Sequence, residues 1–186
     1  MSGARPPIQT RTIRIEVNQI SACELEVTGR LLDERPGARP MWFGIRPDGA
    51  VHDMSLTVRV RHPDLVITLA VADMTAHPYT LCPEALPPLQ QLVGLSVARG
   101  FTRGVNERFG RQRGCAHLTA LVHAMGPAIR QGAGAAFREE TLPRADRDLW
   151  FIDTCQAWRA DGPLAERMKA GDLEAIRAMS ARKPAG

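Results

Sequence analysis

The chain has 186 residues and a mass of 20.4 kDa, with 44% hydrophobic and 24% charged residues. This composition is typical of one globular domain that buries its own core, and it excludes a disordered tail and a collagen-like repeat. The net charge of +4 does not by itself indicate a nucleic-acid partner. No apolar run approaches the roughly 20 residues of a membrane-spanning helix, and the N-terminus lacks the hydrophobic stretch of a signal peptide. We therefore expect a soluble, cytoplasmic protein.

The cysteines are too few and too dispersed for a disulfide scaffold, and no C-x-x-C pair marks a structural zinc site. Free thiols in a reducing compartment are therefore expected. The four residues are Cys23, Cys82, Cys115 and Cys155.

The first part of the chain has the alternating pattern of β-strands. After an N-terminal arm, residues 1–10, two runs within 11–33 alternate apolar and other side chains. Two further runs, Val51–Val60 and Leu65–Val71, do the same. An antiparallel meander of about four strands over residues 11–72 is the simplest arrangement that these runs predict.

A stretch rich in glycine and proline, residues 34–49, interrupts this sheet and predicts a long loop. Loops of that length in compact domains are often lids or binding loops. Trp42 and Phe43 are the apolar side chains that the loop would offer to a substrate.

Helices follow the predicted strands. Residues 73–135 contain a short helical piece, Pro87–Val93, and one long amphipathic helix that Gly132 and Gly134 are expected to end. The apolar side chains of the long helix recur on one face, at Leu118, Leu121, Val122 and Met125.

The C-terminal residues 146–182 predict further helices. One is expected around Leu149–Ala160 and another over Pro163–Arg182, interrupted at Gly171 where Asp172 caps the second half. The whole chain, 1–186, is thus expected to be a single α+β domain in which the antiparallel sheet packs against C-terminal helices.

His52 and Asp53 begin the third predicted strand and are candidates for a general base or a metal ligand. Because neighbouring strand residues point to opposite faces, both can face one pocket only if the strand begins at or after them. The alternative is an exposed His52 and an Asp53 that caps a turn.

Cys115 and His117 stand at the start of the long helix, where free N–H groups and a partial positive charge lower a thiol's pKa and attract an anionic oxygen. Cys115 also falls on the buried face of the helix, so a small core residue and a reactive thiol are both open. His117 lies at the rim of that face and is favoured as a functional residue.

Two more polar side chains are candidates. Tyr79, in a rigid loop three residues before Cys82, would donate a hydrogen bond if it faced a pocket, and simple loop packing is its alternative. Arg103 belongs to an arginine-rich segment, Arg99–Arg113, that could bind an anion or be a solvated basic face. This segment matches no nucleic-acid motif, and the chain has no P-loop, G-x-G-x-x-G or G-x-S-x-G motif.

Five short motifs occur in the order found in one bacterial family, and the chain resembles that family, the domain of unknown function 2889, from about Gly29 to Pro163. Ala116 stands where the family usually has threonine, and Gln156 where it usually has histidine. A histidine that is absent here cannot be essential in this protein. The motifs are Val51-His52-Asp53-Met54, Pro78-Tyr79 with Cys82-Pro83, Gly100-Phe101-Thr102-Arg103, Gly114-Cys115-Ala116-His117-Leu118 and Asp153-Thr154-Cys155-Gln156-Ala157.

The resemblance implies a small-molecule lyase, namely a cofactor-independent enzyme that releases formaldehyde from a lignin-derived aromatic dimer by a retro-aldol cleavage. Such a cleavage needs a base for the terminal hydroxyl, a group that stabilises the oxyanion, and an apolar slot for two rings. His52 or His117 would be the base. Arg103 with the helix N-terminus would stabilise the oxyanion, and Trp42 and Phe43 would line the slot.

A second hypothesis is a non-catalytic scaffold that holds a metal or a small ligand. Cysteine and histidine are zinc ligands, and Cys82, Cys115 and Cys155 with His52 and His117 are the residues that would gather around an ion. The partners expected in either case are a small aromatic molecule and further copies of the chain, with no nucleic acid and no membrane.

Overall fold

In the computed structural model of the protein, the described residues are 7–41, 44–46, 48–137, 149 and 151–180. The chain divides into two compact units, one ending at Phe137 and one beginning at Arg138. The organisation into a single domain stays a prediction. Within the ranges that the structure describes, no helix is long and apolar enough to cross a membrane.

The first unit is built on a four-stranded antiparallel sheet in the order β1-β2-β5-β6, with a separate two-stranded hairpin, β3-β4, between β2 and β5. This confirms the predicted α+β class and the antiparallel meander. The strands are β1 (Thr10–Ser21), β2 (Glu24–Arg35), β3 (Arg39–Met41), β4 (Gly44–Arg46), β5 (Gly49–Arg61) and β6 (Val66–Ala76).

The hairpin corrects the prediction of a continuous loop over residues 34–49. Residues 34 and 35 continue β2, and the two short strands β3 and β4 follow. Trp42 and Phe43, the predicted substrate-binding residues, lie outside the described residues.

The pairing of β2 with β5 contains one irregularity near the hairpin. Asp33 is opposite His52, whereas Glu34 is opposite Ala50, so Val51 is an extra residue on β5. Such a bulge bends the strand locally and leaves the pairing beyond it intact.

Helices follow the sheet in the first unit, and short helices form part of the second. The α-helices are α1 (Phe101–Phe109), α2 (Ala116–Ala136), α3 (Pro163–Lys169) and α4 (Leu173–Ala178). Short segments of 3₁₀-helix lie at Cys82–Ala85, Pro87–Leu92, Arg111–Arg113 and Gln156–Trp158.

One face of the sheet, which we call the inner face, is covered by α2 and holds the core. Alternate residues of β2 and β5 point to it and are almost fully buried, because successive strand side chains alternate between faces. These are Leu25, Val27, Leu31, Met54, Leu56, Val58 and Val60. The opposite, outer face carries the intervening polar side chains.

Two glycines let α2 lie close to the sheet. A Cβ at Gly29 of β2 would be 2.9 Å from the sulfur of Met125, and one at Gly132 of α2 would be 2.4 Å from a methyl of Val17. The prediction that Gly132 and Gly134 end the helix is wrong, because α2 continues through both to Ala136 and packs on the sheet at Gly132. The position of α2 over β1 and β2 is therefore fixed by side-chain packing.

The second unit corrects one prediction and confirms another. No α-helix forms over the described residues between 151 and 160, because an Asp153 carboxylate oxygen accepts a hydrogen bond from the N–H of Ala160 (2.7 Å) and closes a turn. The predicted break at Gly171 is present, and Asp172 caps α4 by accepting a hydrogen bond from the N–H of Ala175 (3.0 Å).

Candidate active site

The inner face changes from apolar to polar at the end of the sheet next to the hairpin. On each of the strands β1, β2 and β5, the inner-face position next to the last apolar one holds a polar side chain. These side chains are Arg11, Asp33 and His52. The strand register places all three in a single row, with Arg11 opposite Asp33 and Asp33 opposite His52. Three polar side chains thus meet where the apolar pattern predicts core.

Asp33 is the centre of this row and is only 1% exposed. Its two carboxylate oxygens accept hydrogen bonds from Nε and Nη2 of Arg11, each at 2.7 Å. These bonds, with a further one from His52, hold the pKa of Asp33 below its usual range, and they outweigh the opposing effect of burial. Asp33 is therefore an anion at neutral pH.

His52 is buried and is oriented by that anion. Its Nδ1 lies 2.9 Å from Oδ2 of Asp33. A carboxylate only accepts, so Nδ1 carries the hydrogen and Nε2 keeps its lone pair. The pair has the arrangement of an imidazole base whose tautomer is set by a buried carboxylate.

His117, in the first turn of α2, lies against His52. The ring centroids are 3.8 Å apart, and Nε2 of His117 is 3.8 Å from Oδ2 of Asp33. Burial lowers the pKa of His117 from its usual value, and the positive charge that His52 carries when protonated, with that of Arg11, lowers it further. His117 is therefore neutral at neutral pH, which avoids two adjacent cationic rings.

Cys115 completes the cluster as the N-cap residue of α2. Its sulfur lies 3.6 Å from Nδ1 of His117, and its side chain is half-buried against the core. The side chain packs as a small core residue and places its sulfur beside His117, and the reactive thiol stays a prediction.

Of the sequence-predicted site residues, His52, His117 and Cys115 are brought together. Asp53 is not, because it follows His52 in the strand and so points to the outer face. There it accepts two hydrogen bonds from Arg30, at 2.7 and 2.6 Å.

The other predicted residues that the structure describes have different surroundings. Arg103 is exposed on α1 and donates to Glu107 at 2.7 Å. Tyr79 is 56% exposed in the loop after β6. Cys82 packs against the core, and Cys155 is an exposed thiol of the second unit.

Sequence reasoning missed Arg11 and Asp33. A signal for both was present, because each stands in phase with an inward apolar series on its strand. A charged residue that continues such a series must be paired or lie at a site, since burial of an unpaired charge is costly.

Asp33, His52 and His117 also have the donor types of a metal site. Their ligand atoms lie within 4.8 Å of one another, and they are the one such group found in the described ranges. The fit is incomplete, because both oxygens of Asp33 are already hydrogen-bonded to Arg11, whose positive charge opposes a cation.

A family model described as "Protein of unknown function (DUF2889)" matches residues 9–131. This match contains all of the residues of the cluster. Comparison with curated proteins and with solved structures gave no significant match.

Proposed function

Because the chain belongs to the DUF2889 family of proteins, whose description names no activity, we propose its function from the geometry of its site: a small-molecule lyase that uses acid–base chemistry. The observation that supports this proposal is the buried Asp33–His52 pair with a second, neutral histidine in contact with it. The reaction to test is the release of formaldehyde that the family resemblance implies.

The base in this proposal is His52. Asp33 fixes the tautomer that leaves Nε2 free to take a proton, and it stabilises the imidazolium that then forms. Arg11 keeps Asp33 ionised, so that Asp33 itself does not take the proton.

The second histidine acts as the electrophilic partner. A neutral His117 donates a hydrogen bond from one ring nitrogen to the oxygen on which charge develops. It stays neutral because a second imidazolium beside a protonated His52 is disfavoured. The thiol of Cys115 limits the orientations of its ring.

The reaction converts a hydroxymethyl compound into formaldehyde and the compound that has lost it. His52 removes the hydroxyl proton, the bond between the hydroxymethyl carbon and its neighbour breaks, and the C=O bond of formaldehyde forms. The electron pair remains on the neighbouring carbon, where conjugation with an aromatic ring stabilises it. Protonated His52 returns the proton to that carbon, so atoms and charges balance without an oxidant or a cofactor.

The test is an incubation of the protein with hydroxymethyl-bearing aromatic dimers of the lignin type. We expect formaldehyde and the shortened aromatic product in equal amounts. The matched control is the same dimer without its hydroxymethyl group, which must give no formaldehyde. Absence of formaldehyde from every such dimer, with protein that is folded by circular dichroism, would remove the substrate class.

A second candidate function, a metal-binding scaffold, is favoured by the Asp33-His52-His117 group. Two imidazoles and a carboxylate suit Zn²⁺ or Fe²⁺, and binding would require Arg11 to release one carboxylate oxygen. Elemental analysis of protein purified without a histidine tag decides this point. Less than about a tenth of an equivalent of any transition metal excludes tight binding of the structural-zinc kind.

A further inference from the structure

A second arginine, Arg35, lies beside the cluster. Arg35 follows Asp33 by two residues on β2, so both side chains point to the inner face. Its positive charge acts on His117, whose pKa it helps to lower. Arg35 therefore belongs to the electrostatic environment of the histidine pair.

Within the described ranges, no acidic side chain forms an ion pair with Arg35. Among the residues that the structure describes, its hydrogen-bond partner is the neutral amide oxygen of Gln9, at 2.7 Å from Nε. Glu34, the neighbouring carboxylate on the strand, is exposed and interacts with Arg30 instead. In the part of the chain that the structure describes, no acceptor is hydrogen-bonded to the two terminal nitrogens of this half-buried guanidinium, and both can donate to a ligand.

The sum of charges at the site is positive. Arg11 and Asp33 cancel, and Arg35 adds one cation with which no described carboxylate forms an ion pair. Cys115 provides no side-chain cap for α2. The N-terminus of this helix, where His117 also stands, therefore adds a partial positive charge. An anion is the ligand that this arrangement stabilises.

We propose that the site binds an aromatic carboxylate, and that Arg35 is the residue that holds the carboxylate group. This inference rests on the proposed function, because it names the substrate class of the same site. A guanidinium matches the two oxygens of a carboxylate in one plane, which a neutral hydroxyl or amide does not. Bound in this way, the carboxylate positions the rest of the molecule against Nε2 of His52.

The experiment measures binding and does not require turnover. Benzoate and the larger biphenyl-4-carboxylate are titrated into the protein, each against its primary amide, and the ring C–H signals of His52 and His117 are followed by NMR. We expect both carboxylates to shift these signals and to bind at least about tenfold more tightly than the amides, the worth of one charge-assisted hydrogen bond.

Three variants separate the site from general attraction to a basic protein. Arg35→Gln is expected to abolish most of the preference for the carboxylate, and Arg35→Lys to keep part of it, since only the charge is retained. Arg61→Gln, which removes an exposed arginine paired with Asp64 at the turn between β5 and β6, should leave affinity unchanged.

Equal binding of carboxylate and amide, absence of binding, or the same loss in Arg61→Gln would each overturn the inference. The failure of the lyase proposal is distinguishable from these results. Carboxylate binding that depends on Arg35, with no formaldehyde from any dimer, keeps the anion site and removes the lyase. Formaldehyde release without a preference for carboxylates keeps the lyase proposal and removes the anion site.

Discussion

The two faces of the sheet each carry an arginine–aspartate pair, and the pairs are nearly identical in local geometry. Arg11 binds Asp33 on the inner face at 2.7 Å through both nitrogens, and Arg30 binds Asp53 on the outer face at 2.7 and 2.6 Å. They differ in what surrounds them. Asp33 is buried and has a histidine as a further partner, whereas on the outer face Arg30 is exposed and Asp53 is partly buried.

The difference shows that the surroundings of an ion pair decide whether it can support catalysis. On the outer face, water screens the pair and competes with it, so its net contribution is small. On the inner face the same pair leaves a fixed anion next to an imidazole, in a place from which water is largely displaced. The predictions below test this contrast between the faces.

The largest expected effect is on turnover. His52→Gln and His117→Gln should each lower formaldehyde release by roughly 10²- to 10⁴-fold, the usual worth of a positioned acid or base. The double variant should cost little more than the worse single one, because residues that act as a unit are not additive. Steady-state rates with one dimer measure this.

The matched control for those variants is His123→Gln, which changes a histidine of the same helix that binds Asn106 at 3.0 Å. It should keep wild-type turnover. Full activity in both His52→Gln and His117→Gln would end the acid–base proposal for any substrate.

The next effect is on stability. Asp33→Asn removes the partner of Arg11 and should lower the free energy of unfolding by about 3 kcal/mol, as expected when a buried ion pair is broken. Asp53→Asn on the outer face should cost at most about 1 kcal/mol. Urea unfolding of the two variants measures both values, and equal losses would contradict the contrast between the faces.

A smaller effect is expected at the contact between β2 and α2. Gly29→Ala places a Cβ against Met125 and should destabilise the fold by about 1–3 kcal/mol, because the helix must shift or the methionine must repack. Thr28→Ala, the neighbouring change on the outer face, should cost less than about 1 kcal/mol. Thermal unfolding is sufficient to rank the two variants. A larger loss in Thr28→Ala than in Gly29→Ala would show that α2 is not tightly packed against β2.

The smallest effect is a shift in titration. The pKa of His117 is lowered by burial first, so its ring signals should titrate below the usual 6.5. Asp33→Asn should lower this pKa further, because the carboxylate charge raises it, and Asp53→Asn should leave it unchanged. NMR titration of the ring C–H signals measures these shifts.

The same lowered pKa affects stability with a definite sign. Since the folded state binds the proton less readily than the unfolded chain, stability is full above pH 6.5 and falls as the pH drops through 6.5 toward the folded pKa. His117→Gln should remove this slope. An unchanged dependence of stability on pH between 7.5 and 5.5 in that variant would show that another group is responsible for it.

Much of the fold followed from the sequence because strand alternation and the apolar face of α2 are local patterns. The hairpin inside residues 34–49 did not, since strands of three residues have no period to recognise. The α-helix expected around Leu149–Ala160 was wrong because a side chain, Asp153, closes a turn that propensity does not reveal.

The site was predicted in part. His52 and His117 were identified from their places at element ends, and their contact with each other could not be, because it depends on where α2 lies on the sheet. Asp33 was missed although its phase on β2 marked it as inward. Pairing it with Arg11 required the register of β1, which no local pattern specifies.

The extra residue in β5 has a consequence for how this protein tolerates insertions and deletions. Val51 has no counterpart on β2, and it stands between His52 and the hairpin. A change of chain length in the segment between β2 and β5 can be accommodated at this irregularity, which precedes His52 in the chain. The register of the β2–β5 pairing beyond it then stays the same. A residue added to or removed from the hairpin would thus leave the row of Arg11, Asp33 and His52 in alignment.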